Sequence, residues 1–213
     1  MKSYGQYCAL AKALDVIGNR WSLLIIRELM IRGPSRYTDI RNGLPGIATN
    51  LLVERLGELE GAGILTRTDA PPPIATNVYS LSERGRALEP ILLQLGGWGA
   101  ELLQEADDKE QMLAHWLVPP LRLYLRDNCA GEESVTLALD ADGTPITVAA
   151  EAGHVDVKLG TAPVADLRIS GPAREILRLV TGRIGIDQAH AAGIECHGDL
   201  EILDRLLPDP VST

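Results

Sequence analysis

Helical spacing of the apolar residues in the first hundred positions is the feature that most constrains how this chain can fold. Leu52, Leu56 and Leu59 recur at i, i+4 and i+7, which predicts a helix over about residues 48–60 with one buried stripe. Three earlier segments also predict helices, at residues 10–17, 21–32 and about 37–42. A stripe of this kind must pack against a neighbouring element, so the pattern predicts a group of short helices around a common core.

A pair of short strand-like runs follows these helices. Residues 64–68 and 77–81 are typical of the two strands of a hairpin, and three consecutive prolines between them form a stiff, exposed tip. A long amphipathic helix is predicted next, from Ser82 to Gln104. This order of elements, in which short helices are followed by a two-stranded wing and then by a long helix, is typical of a winged helix-turn-helix domain.

The second half of the chain has a different pattern. Five runs predict strands, at residues 134–139, 145–149, 154–159, 166–170 and 194–197. Asp142 and Gly143 suit a hairpin turn after the first of them. The charged stretch 106–111 is typical of a linker, although it could equally form a solvated helical turn. We therefore predict an α+β chain of two domains, residues 1–106 and 107–213, the second with an antiparallel sheet.

The composition fits a soluble globular protein. Hydrophobic residues make up 46% of the 213 positions and charged residues 23%, which excludes a disordered or collagen-like chain. The best apolar run, at residues 23–26, is far shorter than the about 20 residues of a membrane span. No apolar leader is visible, and the three cysteines are odd in number and far apart, so we expect a cytoplasmic protein without membrane insertion.

Motifs of common enzyme and metal sites are missing from the sequence. No phosphate-binding glycine loop follows a strand, and no G-x-S-x-G nucleophile turn occurs. The four histidines form no HExxH pattern, and no C-x-x-C pair accompanies them. We therefore expect no enzyme activity, no bound metal and no cofactor.

The net charge of −9 is distributed unevenly. Residues 107–213 contain 9 basic and 18 acidic side chains, whereas residues 1–106 contain 11 of each. Within residues 1–55, 8 basic side chains stand against 4 acidic ones. A basic first segment on an acidic chain favours contact of that segment with a polyanion, although an ordinary uneven distribution would give the same counts.

The segment from residue 8 to residue 100 resembles the HxlR-type bacterial transcription regulators. Residues 16–29, VIGNRWSLLIIREL, are similar to the family's IGGKW…LILREL stretch. Further matches follow in the family's order, at 36–40 (RYTDI), 44–47 (LPGI), 52–59 (LVERLGEL), 63–67 (GILTR) and 79–88 (YSLSERGRAL). The resemblance implies a winged helix-turn-helix domain that binds double-stranded DNA.

In such a domain the helix predicted over residues 48–60 lies in the DNA major groove, with its N-terminal end first. Its leucine stripe faces the core, which leaves Thr49, Asn50, Val53 and Glu54 outward. Asn50 could read an adenine edge, and Thr49 could touch a thymine methyl group or a phosphate. Arg55 matches the family's arginine, which implies that it reaches the DNA backbone or a base.

Residues beside that helix are further candidates for DNA contact. Ser35 and Arg36 lie at a predicted helix start, where N–H groups and positive charge favour phosphate. Arg67 lies at the root of the predicted wing. HxlR-type wings usually carry an arginine near the tip, but this wing has none, which leaves Thr76 and Asn77 as weaker substitutes in the minor groove.

Cys8 lies just before the first helix, where redox-responsive members of this family place a sensing cysteine. A reactive thiol needs exposure and a lowered pKa, and Lys12 lies one turn later. Family members without a redox role also have cysteine at this position. Cys8 is therefore a redox candidate, with an ordinary small apolar residue as the alternative.

Residues 112–208 resemble sterol-carrier-protein-like domains, most clearly after residue 165. The matching segments are ADLRISGP at 165–172, LRLVTGR at 177–183 and AGIECHGDL at 192–200. Such domains enclose an apolar tunnel between sheet and helices. The residues expected to line it around a hydrophobic small molecule are Val155, Val157, Ile176, Leu179 and Val180. A filled core that binds no ligand is the alternative.

We therefore interpret the chain as a DNA-binding transcriptional regulator. The resemblance implies a homodimer on a pseudo-palindromic operator, with repression as the commoner outcome in the family. The first helix and the long helix from Ser82 are the expected dimer elements, and a hydrophobic effector in residues 107–213 would modulate binding. The alternative is a lipid or small-molecule carrier whose helix-turn-helix is a protein-interaction module.

Overall fold

The computed structural model describes residues 3–69, 76–103 and 110–207. The chain divides into two compact units, Met1–Leu92 and Leu93–Thr213, and each is described by itself. The predicted domain boundary after residue 106 and the predicted wing tip lie outside the described residues. No helix in the described ranges combines the length and the apolar character needed to cross a bilayer.

The first unit consists of short helices and a three-stranded antiparallel sheet. Its elements in chain order are α1 (Ala9–Ile17), α2 (Ser22–Arg32), β1 (Ser35–Arg36), α3 (Tyr37–Asn42), α4 (Thr49–Gly61), β2 (Leu65–Asp69), β3 (Asn77–Leu81) and α5 (Glu83–Arg86). The strands lie in the order β1-β3-β2. The predicted helices and hairpin are confirmed, and β1 is a short additional strand that the sequence pattern does not indicate.

The core of the first unit is aliphatic. The leucine stripe of α4 is buried as predicted, with Leu52, Leu56 and Leu59 each at most 1% exposed. Ile25 and Ile26 from α2 and other aliphatic side chains complete this core. Because one face of α4 is held in the core, the residues on its opposite face are fixed in an outward orientation.

The long helix predicted from Ser82 is interrupted. After α5, a separate helix α6 (Glu89–Gly99) begins, and a 3₁₀ helix (Ala100–Leu103) follows it. Pro90 accounts for the break, because a proline lacks the N–H that an uninterrupted helix would use and its ring clashes with the carbonyl four residues earlier. Proline is tolerated in the first turn of a helix, which is where α6 places it.

The second unit is a five-stranded sheet with short helices. Its further elements are a 3₁₀ helix (Ala114–Leu117), α7 (Val118–Tyr124), β4 (Val135–Ala141), β5 (Thr144–Glu151), β6 (His154–Leu159), β7 (Leu167–Gly171), α8 (Ala173–Val180), α9 (Ile186–Ala191), β8 (Glu195–Gly198) and α10 (Glu201–Leu206). The five predicted strands correspond to β4–β8, and the α+β class holds for the described residues.

The sheet is mixed, which corrects the expectation of an antiparallel sheet. Its order is β6-β5-β4-β7-β8, and β4 and β7 run parallel, from Leu137 beside Leu167 to Ala141 beside Gly171. The chain leaves β6 at one edge, crosses to the far side of β4 and runs in the same direction again. Strand-like sequence patterns do not encode this choice of neighbour, because parallel pairing depends on the crossover connection.

The predicted turn at Asp142 and Gly143 is present and has a second use. Both residues have positive φ, 48° and 79°, as a two-residue hairpin turn requires. The Asp142 carboxylate also accepts the backbone N–H of Ala173 at 3.1 Å. The turn between β4 and β5 thereby caps the start of α8.

A buried ion pair joins α10 to the loop after α7. Nε of Arg205 donates to Oδ1 of Asp127 at 2.8 Å, and Oδ2 of Asp127 accepts the N–H of Gly153 at 2.9 Å. Arg205 also donates to the carbonyl of Glu133 at 2.7 Å. The hydrogen bond from Arg205 lowers the pKa of Asp127 to about 2, so this carboxylate stays ionised well into the acidic range.

Candidate nucleic-acid interface

The N-terminus of α4 is open to solvent. Ala48 occupies the N-cap position and supplies no side-chain hydrogen bond, and Thr49 is the first helical residue. The first N–H groups of a helix have no partner within the helix, and together with the helix dipole they favour an anion. This end of α4 therefore has the chemistry that suits a phosphate or the acceptor-rich edge of a base.

Three of the predicted contact residues lie on the outward side of α4. Thr49 and Asn50 are exposed in the first turn, and the Val53 residue is 58% exposed one turn later. Residues three and four positions apart share a helix face, so these side chains form one small surface. We call Thr49, Asn50 and Val53 the α4 surface. It presents a hydroxyl, an amide and an apolar group.

Arg55 is held inside the first unit by neighbouring carboxylates. It ion-pairs with Glu58, and its Nη2 donates to Glu54 at 3.0 Å. The carboxylate of Glu58 also accepts Nδ2 of Asn19 at 3.2 Å. Arg55 thus neutralises two acidic side chains of its own helix, and its contact with DNA stays a prediction.

Of the two residues predicted at the start of α3, only Arg36 has an exposed side chain. Its backbone N–H donates to the Asp39 carboxylate at 3.2 Å, which closes the first turn of α3. Ser35 is 4% exposed and its hydroxyl donates to the carbonyl of Gly33 at 3.0 Å. The structure corrects the expectation for Ser35, because a buried hydroxyl that already donates to its own backbone does not face a phosphate.

The wing residues lie along the β2–β3 hairpin. Arg67 is exposed on β2, opposite Tyr79. Asn77 pairs with Asp69 at the last described rung, and Thr76 precedes it. Among the residues that the structure describes, the buried side-chain oxygen of Asn77 has no hydrogen-bond partner. Asn77 and Thr76 thus lie at the end of the hairpin nearest the tip, and the tip itself lies outside the described residues.

A contact between α3 and α4 was not predicted from the sequence. The hydroxyl of Tyr37 donates to the backbone carbonyl of Thr49 at 3.1 Å. The bond joins the first residues of two helices, so it depends on their packing and has no signal in spacing or composition. Tyr37 therefore qualifies as a residue that positions the α4 surface.

A buried carboxylate on α2 lies next to Gly43, in the turn after α3, and forms ion pairs with two arginines of its own helix. Glu28 is fully buried, Arg27 pairs with it at 2.8 Å and Arg32 at 3.3 Å. Arg27 and Glu28 therefore form a pair within the chain. Burial lowers the pKa of Arg27, and the charge of Glu28 opposes that shift. Arg27 and Arg32 therefore neutralise a buried carboxylate of the first unit.

Large apolar side chains are exposed in two places that could face a second copy. The first comprises the N-terminal segment, α1 and the start of α2, with Tyr4, Tyr7, Leu10, Leu14 and Leu24. The second follows α6 and the 3₁₀ helix after it, with Ile91, Leu95, Trp98 and Leu102. The spacings of four, three and four residues in the second group are those of a helix–helix seam.

Cys8 is exposed immediately before α1, so its thiol is accessible. Lys12, its expected neighbour, forms an ion pair with Asp15 at 3.8 Å. The thiol of Cys8 is thus accessible to solvent. The ammonium of Lys12 is turned toward the carboxylate of Asp15. The redox role of Cys8 stays a prediction.

In the second unit, the residues expected to line a ligand tunnel belong to the core. Val157, Ile176, Leu179 and Val180 are each at most 2% exposed, and Val155 is half-buried. They come from β6 and α8, and α7 packs against both of these elements. Within the ranges that the structure describes, no group of three or more histidine, cysteine or acidic residues is arranged to hold a metal ion.

Comparison with known proteins gives a consistent result for the first half of the chain. Residues 16–107 match the family model of the HxlR-like helix-turn-helix. The HTH-type transcriptional regulator sll1512 of Synechocystis sp. is 37% identical over 102 residues, which cover 47% of this chain and 74% of that protein. The HTH-type transcriptional regulator YodB of Bacillus subtilis is 35% identical over 95 residues, 45% of this chain and 84% of YodB.

Solved structures show similarity over the same share of the chain. The redox regulator HypR in its oxidized form is 37% identical and has a TM-score of 0.42, with 46% of this chain and 100% of that chain covered. The reduced form of YodB from B. subtilis is 33% identical with a TM-score of 0.41, covering 48% of this chain and 99% of that chain.

Proposed function

This chain belongs to the HxlR-like helix-turn-helix family, and we propose that it regulates transcription by binding an operator in double-stranded DNA as a homodimer. Its relatives are named HTH-type transcriptional regulators, which supports a DNA-binding regulator as the general function. The operator, the dimer and the direction of regulation are the proposed parts, with repression as the expected direction.

One observation carries this proposal: an uncapped helix N-terminus bears exposed groups that suit base edges, beside exposed cations. The α4 surface provides the groups that read bases, since an asparagine amide pairs with adenine and small apolar groups contact thymine. Arg36 and Arg67 are exposed at the start of α3 and on β2, and they supply the charge for phosphates. Arg55 supports this surface by compensating Glu54 and Glu58.

A homodimer is the arrangement that this surface requires for tight binding. A single α4 reads few bases, whereas two copies related by a two-fold axis read two half-sites about 34 Å apart on one DNA face. The exposed apolar groups on α1 and along α6 are the surfaces that we assign to this dimer. Their burial would remove large apolar side chains from water in both copies.

The second unit has a separate proposed role. We assign residues 107–213 to a regulatory domain that takes a hydrophobic small molecule among the apolar side chains of β6 and α8, which include Val157 and Ile176. The support is the sterol-carrier-like sequence pattern and the buried apolar side chains of β6 and α8, with α7 packed against both elements. Binding there would change operator affinity. A fatty acid series added to the operator complex tests this role, and an unchanged affinity throughout contradicts it.

The first experiment measures binding of the full chain to a duplex that covers the region upstream of its own gene, across a salt series. Specific binding should weaken steeply with salt, because each phosphate contact releases counterions. Arg36→Ala should reduce the slope of log K against log salt by about 0.9 for each lost phosphate contact. Arg168→Ala is the matched control, because it removes an exposed arginine from the second unit.

The same experiment decides between a regulator and a carrier. A carrier that uses its helix-turn-helix only for protein contacts would show no sequence preference among duplexes and no steep salt dependence. Equal slopes for the wild type, Arg36→Ala and Arg168→Ala would also contradict the assigned interface, because the cation beside α4 would then contribute no phosphate contact.

A further inference from the structure

We propose that Val53 determines operator specificity by contacting the 5-methyl group of a thymine in each half-site. This inference rests on the proposed function, because it assumes that α4 enters the major groove. It goes further by naming the base and the chemical group that one side chain recognises. Thymine is distinguished from every other base in that groove by its methyl group.

Val53 stands apart from the other exposed apolar residues of the first unit. Those residues lie on the N-terminal segment, α1, α2 and α6, and they are Tyr4, Tyr7, Leu10, Leu14, Leu24 and Ile91. Val53 is 58% exposed, and it lies on α4 between polar neighbours. Its exposure is therefore not an extension of the apolar surfaces assigned to the dimer.

Packing within the chain does not account for valine at this position. A β-branched residue lowers helix propensity, and an exposed one gains little from burial to offset that loss. The next outward position along the same face is Gly57, where an added β-carbon would meet no heavy atom within 4 Å. The face from Thr49 through Val53 to Gly57 therefore has small side chains and open space above it, so another surface can approach it closely.

The surroundings of Val53 favour a base edge over another apolar protein surface. Asn50 lies three residues earlier on the same face and offers an amide that suits adenine. The neighbouring acid, Glu54, is held by Arg55 at 3.0 Å, which compensates its charge beside the DNA. Valine has one strongly preferred χ1 rotamer in a helix, so it presents its methyl groups with little loss of conformational freedom on contact.

The test uses the full chain and the operator that its binding defines, with single thymines replaced by deoxyuridine. This replacement removes the 5-methyl group and leaves base pairing intact. For the wild type we expect one thymine in each half-site whose change weakens binding about fourfold, and about fifteenfold when both half-sites are changed, as expected for one buried methyl each. For Val53→Ala the same deoxyuridine duplexes should bind as well as the thymine duplex.

Two controls separate this inference from a structural effect. Val53→Thr keeps the branched shape and one methyl group, so it should retain partial sensitivity to deoxyuridine. Val164→Ala removes an exposed valine of the second unit and should leave the sensitivity unchanged. Thermal melts should show all three variants folded, since each changes a side chain that is already exposed.

The outcomes distinguish the inference from the function on which it rests. Tight, sequence-specific binding that tolerates every deoxyuridine overturns the role of Val53 and leaves the regulator intact. A deoxyuridine effect of equal size in Val53→Ala also overturns it, because another residue then reads the methyl group. Absence of sequence-specific binding by the wild type to the thymine duplex overturns the proposed function and, with it, this inference.

Discussion

The hydroxyl of Tyr37 donates a hydrogen bond to the backbone carbonyl of Thr49 at 3.1 Å. Tyr37 is the first residue of α3 and Thr49 the first residue of α4, so the bond joins the starts of the two helices. The bond lies at the surface, where hydrogen bonds contribute little to the free energy of unfolding. Its main effect is to fix the first turn of α4, which carries the α4 surface.

Tyr37→Phe should therefore weaken operator binding while leaving the fold nearly unchanged. We expect a loss of affinity of about threefold to tenfold, since a hydrogen bond of this kind corresponds to about 0.5–1.5 kcal/mol. The midpoint of thermal unfolding should move by only a few degrees. Tyr124→Phe, a hydroxyl removed from the second unit, is the control. An operator affinity equal to that of the wild type would show that the bond does not position α4.

Gly43 lies against the buried carboxylate of Glu28. A β-carbon at Gly43 would overlap that carboxylate, which is fixed by Arg27 and Arg32. Gly43→Ala should lower the free energy of unfolding by about 1–3 kcal/mol, the usual cost of overpacking. Gly57→Ala in α4 should raise it by about 0.5–1 kcal/mol, because its β-carbon has open space and alanine favours a helix.

Denaturant unfolding of the two variants checks both signs in one experiment. The same chemical change is made at two glycines of the first unit, so any general effect of adding a methyl group cancels in the comparison. Stabilisation of the chain by Gly43→Ala would contradict the packing of Glu28 against this glycine.

Local sequence patterns predicted the elements of the first unit because burial and turns are encoded there. The leucine stripe of α4 fixed which residues face outward, so Asn50 and Val53 could be placed without coordinates. The position of the Arg55 side chain could not be predicted, because the sequence does not show that its guanidinium turns back to Glu54 and Glu58. The prediction for Ser35 was wrong for a related reason. A two-residue strand buries Ser35 beside Tyr79, and such a short strand has no periodicity that the sequence could show.

In the second unit the strands were predictable and their arrangement was not. Alternation of apolar residues marks β4–β7, but the parallel neighbours Leu137 and Leu167 are brought together by a crossover between distant segments. The pair of Asp127 and Arg205 likewise joins residues 78 positions apart. No periodic pattern connects such positions, so these contacts required the structure.

The pair of Asp127 and Arg205 should make the second unit sensitive to acid. The hydrogen bond from Arg205 lowers the pKa of Asp127 from its ordinary value of 3.8 to about 2. A carboxyl whose pKa is lower in the folded chain contributes stability that is fully present above its unfolded pKa. That contribution should be lost progressively as the pH falls from about 4 towards 2, which urea unfolding at a series of pH values would measure.

Asp127→Asn should remove this part of the pH dependence and lower stability near neutral pH. Leaving a buried arginine without its carboxylate costs about 3–5 kcal/mol in comparable pairs. Asp156→Asn is the control, because Asp156 pairs with Lys158 at 3.3 Å in an exposed position where an ion pair contributes little. If the wild type and Asp127→Asn lost stability in parallel between pH 4 and 2, the ion pair would not be the source.

Leu10 provides the test of the homodimer. It is 68% exposed on α1, in line with Tyr7 and Leu14, so a second copy would bury it. Leu10→Glu should weaken dimerisation by at least about tenfold, because burial of one leucine is worth about 1.5–3 kcal/mol and a charge must be desolvated in its place. Sedimentation equilibrium should show a shift to monomer, and operator affinity should fall with it.

The folded monomer should tolerate Leu10→Glu, because the side chain is already in water there. Val164→Glu is the matched control, with a 79% exposed valine of the second unit changed to the same acid. It should leave both the dimer and the operator affinity unchanged. A wild type that sediments as a monomer at the concentrations where it binds its operator would contradict the dimer, and two adjacent half-sites would then no longer be expected in the footprint.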